Sequence, residues 1–210
     1  MGQAREQEAE IKVLCERGAH REAVERTIAT YGDELARFLV AVLHRRELAE
    51  EAYSCVCEKL IKNLSRFRWE SSLRTWLFRV ARNDCMEMLR SRQRREQLMS
   101  DPLPEGEAQR ERTRTNPWLR TEVKERFHAL REQLSAPERA LLQLKVEQGL
   151  PWTEVAQILW DGDQPPTREE LDKRAVALRQ QFRRLKDRLR ALAVEAGLVS
   201  SGDSTGSAAH

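Results

Sequence analysis

The residues with the clearest chemistry lie between 67 and 95, which read F-R-W-E-S-S-L-R-T-W-L-F-R-V-A-R-N-D-C-M-E-M-L-R-S-R-Q-R-R. Aromatic rings offer faces on which unpaired bases stack, and guanidinium groups neutralise the phosphates between those bases. Here the two are interleaved. Trp69 stands in a short polar loop, off any apolar stripe, where it either stacks on a base or is an incidental loop aromatic. Arg74, Arg79, Arg82 and Arg90 follow on a helical pattern whose apolar stripe is Leu73, Trp76, Leu77, Val80, Ala81, Met88 and Leu89. Trp76 sits on that stripe and reads as core rather than contact. Asn83 could hydrogen-bond a base or only a helix end.

Charge distribution points the same way. Residues 62–95 carry ten Lys+Arg against three Asp+Glu, and residues 168–190 carry nine against four, balances of +7 and +5. The segments 1–61 and 96–167 are acidic, at −3 and −4. Two basic blocks separated by acidic stretches read as two footprints on one polyanion, with solvated helix faces as the plainer alternative. Catalysis has little support. His20, His44, His128 and His210 share no motif with cysteines or acids, no glycine loop could cradle a phosphate, and no metal-ligand spacing or cofactor motif occurs. Cys15, Cys55, Cys57 and Cys85 are scattered, and on a helix the thiols of Cys55 and Cys57 would point about 200° apart. They read as reduced thiols of a cytoplasmic protein. The first residues lack a secretion signal, and no apolar run could span a bilayer.

The elements that must position these groups are all helical. Charged residues make up 34% of the 210 and aromatics 6%, so the core is aliphatic and small. No strand-like alternation occurs. Ile11, Leu14 and Cys15 suggest a weak helix, and residues 20–30 a second that stops at Tyr31-Gly32. Leu35, Phe38, Leu39, Val42 and Leu43 form a further stripe, and Leu48, Ala52, Val56 and Leu60 another. Residues 99–117 hold three prolines and dense charge, which predicts a flexible linker. Beyond it, Trp118–Leu134 reads as a helix. Ser135-Ala136-Pro137-Glu138 and Thr167-Arg168-Glu169-Glu170 are capping boxes that open further helices. Gly149 closes the first of these, and Pro151–Leu159 forms a short helix. A loop follows from Asp161 to Pro166, then a long basic helix with Ala175, Leu178, Phe182, Leu185 and Leu189 inward. A short helix, a turn and a longer basic helix match the helix-turn-helix plan.

Taken together, these segments resemble the extracytoplasmic-function sigma factors of bacterial RNA polymerase over roughly residues 27–192. Phe67-Arg68 and Leu73 through Asn83 are similar to the family's loop and helix that capture unpaired bases of the minus-ten promoter element. Ala49-Glu50-Glu51-Ala52-Tyr53-Ser54 stands where the family's polymerase-binding helix has an Ala-x-Asp-x-x-Gln pattern, with Glu51 in place of aspartate and Ser54 in place of glutamine. Leu134, Pro137-Glu138-Arg139, Leu144, Gly149-Leu150 and Glu154-Val155-Ala156 resemble the start of the fourth conserved region. Leu178-Arg179 and Phe182 through Lys186 resemble the helix that reads the minus-thirty-five element, although the joint from Leu159 to Leu178 is longer than usual.

The resemblance implies a non-enzymatic, all-α protein of two small helical domains joined by a flexible linker, the second a helix-turn-helix. Its divisions would be an N-terminal extension (1–26), region 2 (27–98), a linker (99–117), region 4 (118–194) and a disordered tail (195–210). It implies minus-ten contacts from Arg68, Trp69, Glu70, Ser71, Ser72, Leu73, Arg74, Arg79, Arg82, Asn83 and Arg90, with Arg92, Arg94 and Arg95 on the basic continuation. Minus-thirty-five contacts fall to Arg174, Arg179, Gln180, Arg183, Arg184 and Lys186. Polymerase contacts fall to Glu47, Glu50, Glu51, Ser54 and Glu58, whose alternative is a solvated face. The implied partners are core polymerase, promoter DNA and an anti-sigma factor, with no membrane insertion and no small-molecule substrate. A simple repressor would instead require dimer symmetry, and a redox sensor would require the cysteines to control binding.

Overall fold

The computed structural model describes residues 2–98, 130, 133–162, 164–195 and 197–198. Every regular element among them is helical: α1 (Gly2–Glu16), α2 (His20–Leu43), α3 (Arg46–Asn63), α4 (Leu73–Leu98), α5 (Ala136–Leu142), α6 (Trp152–Ile158) and α7 (Arg168–Glu195). A 3-10 turn, Leu64–Arg66, leads from α3 toward α4, and a wider π turn, Gln143–Glu147, continues α5. The linker and most of the helix expected over Trp118–Leu134 lie outside the described residues, as does most of the expected tail.

The first half is built on α2, α3 and α4. Leu35, Phe38, Leu39 and Val42 of α2 meet Ala52, Val56 and Leu60 of α3 and Leu73, Leu77 and Phe78 of α4 in one buried cluster. Phe38 and Phe78 pack edge to face at 5.2 Å between centroids, the arrangement that places a ring's positive edge on its neighbour's negative face. Leu64, at the head of the 3-10 turn, is also fully buried and fixes where the chain turns toward α4.

One expected boundary is absent. The helix beginning at residue 20 does not stop at Tyr31-Gly32 but runs unbroken to Leu43. Gly32 serves close packing instead. A Cβ there would lie 2.8 Å from the Tyr53 hydroxyl of α3, and with no side chain α2 and α3 can approach. The helix ends at His44, whose left-handed φ of 54° lets its N–H bond the Val40 carbonyl.

In the second half both capping boxes form. Ser135 N–H and Oγ each donate to Glu138 at 2.8 Å, and Thr167 N–H and Oγ1 each donate to Glu170 at 2.7 Å. Gly149, at φ +62°, ends the π turn, and Gly197, at φ +67°, follows α7. Helix α6 packs on α7 through Val155, Ala156, Ala175 and Leu178, with Trp152 edge-on to Phe182 at 5.5 Å.

The two halves share a core. Helix α5 lies against α2 and α6 against α4, so Leu141, Leu144 and Ile158 join the cluster of Phe38 and Phe78. Arg139 reinforces this contact. Its Nε and Nη2 donate to the Val42 carbonyl at 2.8 and 2.6 Å, and Nη1 donates to Leu134 O. Val42 is in the last turn of α2, where carbonyls lack partners within their own helix.

Candidate nucleic-acid interface

Ser72 starts α4. Its hydroxyl accepts the Thr75 N–H at 3.0 Å and lies 2.7 Å from the Thr75 hydroxyl, while its carbonyl accepts the Trp76 N–H at 3.1 Å. A short polar side chain ahead of an apolar helical run meets one of the donors that a helix start leaves unpaired. The preceding loop is compact and aromatic. Phe67 lies 5.0 Å from Trp69 and 5.7 Å from Trp76, centroid to centroid. Trp69 has a φ of 57°, an uncommon conformation for a bulky residue. It is half-buried rather than free, because Phe67 flanks its ring and Lys12 Nζ lies 5.9 Å from the ring centroid. Trp76 is likewise half-buried and packed against the core. Arg68 and Glu70 are exposed and 3.8 Å apart. Ser71 is half-buried, its hydroxyl 3.4 Å from the Ser72 carbonyl, and Leu73 is fully buried.

The arginines of α4, Arg79 apart, divide into two groups. Arg90, Arg92, Arg94 and Arg95 lie on the distal part and, among the described residues, bond to Glu87, Glu96 and Ser91 of α4 itself. Arg79 is half-buried and Asn83 exposed. Arg74 and Arg82, which the sequence places outside the apolar stripe, are turned against the second half. Arg74 donates to Glu34 and to Gln148, both at 2.9 Å, with its guanidinium 5.5 Å from the Phe78 ring. Arg82 is buried, pairs with Asp161 and donates to Asn83 at 3.1 Å. Helical periodicity identifies the face of α4 but not what packs there. Gln148 and Asp161 sit in or beside turns with no periodic signal, so neither stands out as a site residue in the sequence.

On α7, Arg179, Gln180, Arg183, Arg184 and Lys186 are all exposed, while Leu178 and Leu185 are buried. Arg174 is directed inward, its Nη2 3.8 Å from Asp161 and 3.5 Å from the Leu159 carbonyl. Arg188 is bonded to Glu138 at 3.0 Å and to the Gln133 carbonyl at 3.3 Å. The outward cations could face phosphates, and Gln180 could meet a base edge.

Glu47, Glu50, Glu51, Ser54 and Glu58 are all exposed on α3. Their spacing of three and four puts them on one helix face, opposite Val56 and Leu60. Pairing within the helix covers part of that face. Arg46 bonds Glu50 at 2.8 Å, Lys62 bonds Glu58 at 3.3 Å, and the Ser54 hydroxyl donates to the Glu50 carbonyl at 3.0 Å. These are solvent-exposed contacts of small energetic weight, which leaves the face available to a partner. Among the described residues, no helix is long and apolar enough to cross a membrane.

Residues 27–95 match the model of the family Sigma-70 region 2. Over 143 residues, 67% of this chain and 81% of the relative, the sequence is 28% identical to RNA polymerase sigma factor YlaC of Bacillus subtilis (strain 168). The matched family segment spans α2 from residue 27, α3, the aromatic loop and α4 as far as Arg95.

Proposed function

We propose that this chain, a member of the RNA polymerase sigma factors of the extracytoplasmic-function type, directs core polymerase to particular promoters and assists strand opening there. The carrying observation is that the region 2 match falls on a helix start bearing an aromatic loop, followed by an arginine-rich exposed helix end. Such a site holds a separated strand without cofactor or catalyst. Stacking takes the base, guanidinium groups take the phosphates, and polymerase does the chemistry. In this reading the chain acts in the cytoplasm and is not itself an enzyme.

Two modules divide the work in this reading. Residues 27–98 are the polymerase-binding and minus-ten module. There Glu47, Glu50, Glu51, Ser54 and Glu58 face the polymerase. Arg68 to Ser72, Arg79, Asn83 and Arg90 face the strand beside the buried Leu73, and Arg74 and Arg82 join them only on leaving Gln148 and Asp161. Residues 118–194 are the duplex-reading module, with Arg179, Gln180, Arg183, Arg184 and Lys186 on the promoter side of a helix-turn-helix. Arg174 belongs to that set only if it leaves Asp161. Once the halves part at their shared core, the linker would let both modules reach separate elements of one promoter, and an anti-sigma factor would act by holding them off it.

In vitro transcription with core polymerase on a library of promoter fragments tests this. The expected result is a defined set of starts that depends on the added chain. No start-site selection, together with no retention of the chain by core polymerase, would overturn the proposal.

A further inference from the structure

We propose that α1 is a built-in lid that competes with the separated DNA strand for the aromatic loop and the start of α4. This inference rests on the sigma-factor reading of that loop. Helix α1 lies ahead of the family-matched segment and occupies the two features of the loop best suited to a strand.

The Glu8 carboxylate accepts the backbone N–H of Leu73, the first residue of α4. A helix start presents unpaired amides and a positive dipole end, which favour an anion, phosphate included. Glu8 therefore holds the position a backbone phosphate would take. One turn on, the Lys12 ammonium lies 5.9 Å from the Trp69 ring centroid. A cation over a ring uses the π surface on which a base would stack. Carboxylate and ammonium thus occupy the phosphate and base positions of a single nucleotide step.

Apolar contacts seat the lid, and its polar ties hold it only weakly. Glu8, Ile11 and Lys12 are three and four residues apart and so share one face of α1. Ile11 is fully buried in the common core. Leu14 and Cys15 pack half-buried against that core, and Glu10 pairs with Arg26 at 2.6 Å, both partly exposed and so of little energetic weight. Burial pushes the Glu8 carboxyl up. The Leu73 amide opposes that rise and Glu154 of α6 adds to it. Closing the lid therefore desolvates a carboxylate, a cost that a strand with better-placed phosphates can exploit.

Lys12→Ala in the full chain is the discriminating variant, because Lys12 is exposed and its loss leaves the core intact. Removing a cation weakens binding to a polyanion if only charge matters. The lid predicts the opposite: about two- to fivefold tighter binding of a fluorescein-labelled single-stranded oligonucleotide of mixed sequence, from loss of a cation–π contact. Glu8→Ala should tighten binding too, and should speed hydrogen exchange at the Leu73 amide. Weaker or unchanged affinity in Lys12→Ala, or unchanged exchange in Glu8→Ala, overturns the lid. Core-dependent transcription by the unaltered chain is measured in parallel. Normal start selection with no gain in the variants refutes the lid alone, whereas absence of core binding and start selection refutes the sigma-factor reading and the lid's competition with it.

Discussion

Among the described residues, two other than glycine hold a positive φ, and they differ in what accounts for it. His44 terminates α2, and its left-handed turn satisfies a carbonyl. Trp69 has no such local reason. Left-handed backbone costs an L residue about 1–2 kcal/mol, and a β-free residue would adopt this turn more easily. What the loop gains is a ring held beside Phe67 at the mouth of α4. Trp69→Gly therefore separates fold from function. Thermal melting should change little, because relief of the left-handed turn offsets the lost packing on Phe67 and Lys12. Strand capture in a promoter-opening assay should fall by the stacking contribution of one base, about 1–3 kcal/mol. Retention on core polymerase should stay constant, and an equal loss in both assays would make Trp69 a folding residue. The sequence singles out Trp69 because it stands off every apolar stripe. Its left-handed turn and its neighbour Lys12, 57 residues earlier, are tertiary facts that no local pattern carries.

Helix starts were legible because their chemistry is local. Ser135 with Glu138, and Thr167 with Glu170, are separated by three residues and bond as that spacing requires. Helix stops were less so. Tyr31-Gly32 has the form of a stop, yet α2 continues because Tyr53, on another helix, needs the space a side chain would fill. The first box also sets a pH dependence. Burial alone would raise the Glu138 carboxyl. The Ser135 amide and hydroxyl and the Arg188 guanidinium outweigh it, holding the carboxyl below its ordinary 4.5. With a folded pKa below the unfolded one, the contribution is present above about pH 4.5 and is lost as pH falls through the folded value. Glu138→Gln should cost about 0.5–1 kcal/mol at neutral pH, the order of a lost cap. The difference from the unaltered chain should vanish in acid. Denaturant melts at neutral pH and below pH 4 check this, and a cost independent of pH would mean that Arg188 and the carboxylate charge contribute nothing.

At the scale of the molecule, the shared core constrains the proposed function more than any single site does. Arg74 and Arg82 are two of the α4 arginines expected to hold the strand, and both are engaged by the second half through Gln148 and Asp161. A ligand that needs them must first displace those partners, so its apparent affinity falls with the fraction of molecules already open. Helical periodicity finds the helices of both halves but not this closure, because Arg139 on Val42 and Asp161 on Arg82 join positions far apart in the chain. Cys85 offers a native reporter. It is fully buried on α4, and its thiol is pushed up to about 12, chiefly by burial with Asp84 adding, against the opposing pull of Arg139 and Arg82. It should alkylate far more slowly than the half-buried Cys15 and Cys55. Asp161→Lys replaces an exposed partner with a like charge beside both Arg82 and Arg174. Peptide-mapped alkylation should then show Cys85 reacting several-fold faster with Cys15 and Cys55 unchanged, and core polymerase added to the unaltered chain should do the same. Acceleration at every cysteine would signal unfolding instead. An unchanged Cys85 in both experiments would mean that α6 stays on α4 during engagement, in which case Arg74 and Arg82 stabilise the closed protein and the strand is held by Arg68, Arg79 and the distal arginines instead.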